Sequence, residues 1–142
     1  NLTITVSANV AGFATGTYNG TLRITAPDVT PVQLPVRLQV NRAPPTRLTS
    51  VSAASLATAV APDAIVSSFG AGLASAVEAA PTADLPDRLG DTTLAVTDAT
   101  GVEHQCKLYF VSPGQINFLL NSQTAVGDAT VRVRRGATVV AE

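Results

Sequence analysis

The sequence has no methionine, no tryptophan and a single cysteine among its 142 residues, and each shortage excludes something. One cysteine, Cys106, rules out an internal disulfide and leaves the redox compartment open. Two Tyr and four Phe make aromatics only 4% of the chain, so the core has to be built from Val, Leu, Ile and Ala. Charged residues are also scarce, at 13% against about 25% in an ordinary soluble domain. Net charge is −1, and the one basic cluster is Arg132, Arg134 and Arg135. Alternation there places Arg132 and Arg134 on a single strand face. Nucleic-acid binding calls for a broader basic footprint with stacking aromatics, so this cluster reads as a solvated face. No apolar run approaches the roughly 20 residues that span a bilayer, and no signal peptide precedes the first strand pattern. The missing Met and the strand-like character of both ends lead us to expect a fragment or a processed product.

What is present is β-forming. Val, Ile and Thr are abundant, and they suit a pleated, half-buried surface better than a helix. Leu2, Ile4, Val6, Ala8 and Val10 alternate with Thr3, Thr5, Ser7 and Asn9, the period of a strand with one buried face. After a turn around Gly12 and Gly16, Tyr18, Leu22 and Ile24 alternate with Asn19, Thr21 and Arg23. Pro27-Asp28 opens the next turn, and Val32, Leu34, Val36, Leu38 and Val40 form a third run, with Pro35 on its polar face marking an edge or bulge. Three such strands make a sheet with one apolar face uncovered.

Residues 42–50 (RAPPTRLTS) carry Pro44-Pro45, which stiffens the chain toward an extended conformation and marks a linker. The predicted organisation is therefore a partial module over 1–41, a Pro-rich linker over 42–50, and a second module over 51–142. Residues 51–61 are Ala-rich, compatible with a short helix or an irregular lead-in. Strand patterns follow at 64–69, 92–97, 102–110, 115–120, 129–135 and 137–141. Asp98–Gly101 and Arg135-Gly136 have the turn chemistry of hairpins. Many short strands punctuated by Gly, Pro and Asp predict an all-β chain, an immunoglobulin-like β-sandwich in two small or incomplete modules.

Two segments resemble known families. Gly16-Thr17-Tyr18-Asn19-Gly20-Thr21-Leu22-Arg23-Ile24-Thr25, with Val32–Val40, resembles the end of BACON-like bacterial immunoglobulin-like modules over about 40 residues. Ala61–Gly70, Leu85–Gly90 and Tyr109–Phe118 (YFVSPGQINF) are similar to the uncharacterised, IPT/TIG-like C-terminal domain of large secreted proteins of Solibacter and other Acidobacteria. Against that pattern the second module stops before the first repeat is complete. The resemblance implies an extracellular or cell-surface location and neighbouring domains of a larger protein. It brings no catalytic residues.

Few residues can carry chemistry. His104 and Cys106 are two apart in the run 102–110, which puts them on one strand face with Leu108 and Phe110. A Cys–His dyad needs thiol and imidazole in hydrogen-bond reach and a group that orients the ring. Glu103 points the other way, which leaves Asp91 as the candidate orienter. The plainer alternative makes Cys106 a small buried hydrophobe and His104 a residue at the rim of the core. One His and one Cys fall short of the three or four ligands of a metal site. Asp84, Asp87 and Asp91 lack EF-hand spacing and read as solvated loop carboxylates. No metal and no cofactor is expected.

In Ser112-Pro113-Gly114 we expect a tight turn with Gly114 at positive φ, and Gln115 and Asn117 on one face with amides that tie the turn backbone. Tyr109, Gln115 and Asn117 are the candidate binding residues. Three functions remain in play: a non-enzymatic structural or adhesive module, a carbohydrate- or ligand-binding module short of stacking aromatics, and a small hydrolase using Cys106 and His104. Uncovered apolar faces and open strand edges point to homo-oligomers formed by strand addition or exchange.

Overall fold

The computed structural model describes residues 3, 5–41 and 44–142, and among them it contains only strands, turns and irregular segments. No helix is long and apolar enough to cross a membrane. The chain divides into two units, residues 1–43 and 44–142.

The first unit is a hairpin of β1 (Gly16–Ala26) and β2 (Val29–Val40), joined at Pro27-Asp28. Asp28 takes the left-handed conformation at φ 59°, which a short polar side chain tolerates in a turn. The register pairs Tyr18 with Leu38, Gly20 with Val36, Leu22 with Leu34 and Ile24 with Val32, so the apolar residues of both strands share one face. Thr17, Asn19, Thr21 and Arg23 face Gln39, Arg37, Pro35 and Gln33 on the other. The irregularity in this ladder falls between Ile24 and Ala26, not at Pro35, which sits opposite Thr21. The strand expected over residues 2–10 is not formed in its described part: Val6 and Val10 stand exposed on a segment without ladder partners. Residues 1, 2, 4, 42 and 43 lie outside the described residues. Alternation supplies a face, but a strand also needs a neighbour to take its N–H and C=O groups.

The second unit is two packed antiparallel sheets. One holds β3 (Thr49–Ser52), β4 (Ile65–Phe69), β5 (Glu78–Ala79), β9 (Lys107–Val111) and β10 (Gln115–Leu119), in the order β3-β4-β10-β9-β5. The other holds β6 (Arg88–Leu89), β7 (Thr92–Thr97), β11 (Thr130–Arg135) and β12 (Thr138–Ala141), in the order β12-β11-β7-β6, with β8 (Glu103–Gln105) also on β7. The inward faces follow the alternation of the sequence. Ile116 and Phe118 of β10 oppose Ser68 and Val66 of β4, and Leu94 and Val96 of β7 oppose Val133 and Val131 of β11. Val66, Leu94, Leu108, Ile116, Phe118 and Val133 are buried together, each contributing about 1.5–3 kcal/mol of apolar burial. Buried Ser68 is satisfied by Ser50 on β3, with the two hydroxyl oxygens 2.6 Å apart.

Much of the predicted linker belongs to this unit. Thr46 bridges Ala141 in parallel, Thr46 N–H donates to the Val140 carbonyl at 2.8 Å, and Leu48 N–H donates to that of Glu142 at 3.2 Å. The chain then crosses to the other sheet as β3. The proline pair keeps Pro44 and Pro45 out of the ladder, but residues after them can donate and do. The Ala-rich stretch 53–61 is irregular rather than helical. The two sheets of this unit are layered over a shared core.

Candidate functional site

The run 102–110 is two strands rather than one. β8 pairs with β7 in one sheet and β9 with β10 in the other, so the chain changes sheets at Cys106. Cys106 N–H donates to the Leu94 carbonyl at 3.0 Å while its side chain enters the core. The shared face expected for His104, Cys106, Leu108 and Phe110 is broken by this corner. The thiol is fully buried, and its polar neighbours are backbone groups, the His104 carbonyl 3.8 Å away and the Asn121 backbone. Burial pushes the Cys106 pKa up to about 11, opposite to the shift that activates a nucleophilic thiol.

His104 lies opposite Val96 on β7, and its Nε2 donates to Asp98 Oδ2 at 2.9 Å. The residue that holds the imidazole is therefore Asp98, not Asp91. Asp91 instead takes Arg135 Nε at 3.0 Å and the Ser75 hydroxyl at 3.0 Å, and the Arg135 bond holds its carboxyl below the ordinary range. Asp98 is the most heavily bonded side chain of the site. Its Oδ1 accepts the Thr100 hydroxyl at 2.7 Å, Thr100 N–H at 2.9 Å and Val102 N–H at 3.1 Å, and its Oδ2 also accepts Ala125 N–H at 3.1 Å. The Thr100 hydroxyl, then the Ala125 amide and His104, hold its carboxyl far below the usual carboxylate range. The turn it starts closes with Gly101 at φ 84°. Asp98 in a turn was legible in the sequence, but its reach to Ala125, 27 residues away, carried no local signal.

The binding candidates sit on the outward face of the other sheet. Gln115 pairs with Phe69, and Asn117 with Ser67 and Phe110, while the Gln115 amide donates to Asn117 Oδ1 at 2.8 Å. The two amides bond to each other, and Ser112 fixes the turn: its Oγ accepts Gln115 N–H at 3.0 Å and Gly114 N–H at 3.3 Å. Gly114 is not at positive φ, because the Ser112 hydroxyl closes this turn without a left-handed residue. Tyr109 falls in the bulge between Leu108 and Phe110, and its carbonyl accepts Ala80 N–H at 2.8 Å. Arg132 pairs with Glu142 at 2.8 Å and Arg134 with Glu103 at 3.1 Å, so the basic cluster is neutralised on the sheet surface. Asp87 lies 3.2 Å from Lys107, an exposed pair.

No protein-family model, curated protein or solved structure matches this chain.

Proposed function

We propose that the chain is a non-enzymatic structural or adhesive part of a bacterial extracellular or cell-surface protein, in which an immunoglobulin-like sandwich accompanies a hairpin that associates with a second copy. The observation that carries the reading is the two-faced hairpin. Leu22, Leu34, Ile24 and Val32 lie side by side, with Val32 50% and Leu34 45% exposed. A lone two-stranded hairpin is marginal in water, and a further strand or sheet on its apolar face supplies the missing burial.

The strand order supports the immunoglobulin-like type. Taken in chain order, β3, β4, β7, β9, β10, β11 and β12 fall into sheets β3-β4-β10-β9 and β12-β11-β7, the ABED and CFG arrangement of a constant-type domain. The parallel bridge from Thr46 to Ala141 ties the first strand to the last across the two sheets. The departure from antibody domains is in the core, where Phe118, Leu94 and Val133 stand without a Trp or an inter-sheet disulfide. The hydrolase reading loses its support with the buried thiol and the imidazole turned to Asp98.

Sedimentation velocity across the micromolar range tests the association. Mass above the monomer is expected, with return to the monomer in the Leu34→Lys, Val36→Lys double variant. A monomer at every concentration sinks the reading.

A further inference from the structure

We propose that two copies of the chain join by pairing β1 with β1, antiparallel and in a single register, into a four-stranded sheet ordered β2-β1-β1-β2. This rests on the association of the hairpin put forward above and names its edge, direction and register. A sheet of that size passes the three strands that an apolar face needs for independent stability.

A proline identifies the edge. Thr21 stands opposite Pro35 in the ladder, and proline has no N–H to exchange. Thr21 and Pro35 are therefore a non-hydrogen-bonded pair, and the bonded pairs on either side are Gly20 with Val36 and Leu22 with Leu34. Alternation fixes the rest. Thr17, Asn19, Thr21 and Arg23 turn their N–H and C=O groups to the outer edge of β1, and Gln33, Pro35, Arg37 and Gln39 turn theirs to the outer edge of β2. The two edges differ. On β2, Pro35 leaves a gap in the row of donors and sets its ring there, which blunts the edge against a further strand. On β1 the row is unbroken: Thr17, Asn19, Thr21 and Arg23 are exposed, and no described residue bonds to their backbone groups.

Symmetry then sets the register and the occupant. The midpoint of β1, which runs from Gly16 to Ala26, is Thr21, itself one of the outward residues. A two-fold axis at Thr21 overlaps the two strands completely and brings outward residues together, Thr21 with Thr21 and Asn19 with Arg23, each pair exchanging two hydrogen bonds. The strand β2 has no such register: its 12 residues centre between Leu34 and Pro35, so full overlap sets outward residues against inward ones. Charge agrees with the axis at Thr21. Arg23, the one charged residue of β1, meets neutral Asn19, whereas an axis at Arg23 would set two guanidinium groups against each other. On the apolar face Tyr18 meets Ile24 of the second copy, and Leu22 crosses Gly20. Nothing stands within 4 Å of the position a Gly20 Cβ would take, which leaves room for that leucine.

The test is isotope-filtered NMR on the full chain, mixed from labelled and unlabelled copies. Contacts between copies from Gly20 Hα to Leu22 Hα, the close non-hydrogen-bonded pair of this register, are expected. Thr21→Pro removes an N–H that lies outside the hairpin ladder, and should weaken self-association roughly tenfold or more, while Arg37→Pro on the other edge leaves it unchanged. Should Thr21→Pro fail to fold, the contacts in the unaltered chain decide. Association with contacts between copies only through Val32, Leu34 and Val36, or through β1 in another register, would overturn this pairing and leave the association of the hairpin standing. A monomer at every concentration would overturn both.

Discussion

Cys106 and His104 are two residues apart and chemically separate, because the corner between sheets turns their side chains to different surroundings. The thiol has entered an apolar core, where its ionised form loses hydration and gains no cation in exchange. With its pKa near 11 it is almost wholly protonated at neutral pH. Native protein at pH 8 should therefore leave Cys106 unmodified by a disulfide reagent over a period in which denatured protein reacts completely. Rapid stoichiometric reaction of the folded chain would restore the thiol as a nucleophile. At this scale the sequence was legible in part. The shortage of partners around Cys106 was visible and favoured a buried hydrophobe. The corner was not visible, since a run of nine residues with alternating apolar positions does not record which sheet each half joins.

Asp98 shows how single groups become elements. One carboxylate gathers the turn after β7, the imidazole on β8 and the loop before β11, and so adds the last of these to a hairpin already joined by its ladder. Its folded pKa is depressed, so its contribution is fully present above the ordinary value of about 3.8 and is lost as pH falls from there toward the folded value. Asp98→Asn should lower the denaturation midpoint at pH 7 and flatten the loss of stability below pH 4, read by chemical denaturation at both pH values. An unchanged midpoint with an unchanged acid limb would show that the network is ornamental. Strands rich in alternation, such as 92–97 and 130–135, were readable because their period of two survives burial on one face. The short β5 and β6 escaped, being two residues each and defined only by their partners.

At the scale of the molecule, the two units differ in how far they satisfy themselves. Residues 44–142 bury a shared core between two sheets, and their first segment is bound into the ladder at Thr46 and Leu48. The hairpin aligns its apolar side chains on one face, with Phe13 against Tyr18 at 4.8 Å as an edge-to-face pair near its open end. Composition made the all-β class and the unit boundary near the proline pair legible. It could not fix how much of 42–50 was linker, because Thr46 and Leu48 bond to partners almost a hundred residues later in the chain, and Thr49 and Ser50 pair with Phe69 and Ser68 of β4. The claim that the hairpin is an association surface is tested most directly by amide hydrogen exchange at low and high protein concentration. We predict that protection across residues 16–40 rises with concentration while that of β4, β7, β10 and β11 stays constant. Hairpin protection that is the same at every concentration would contradict it.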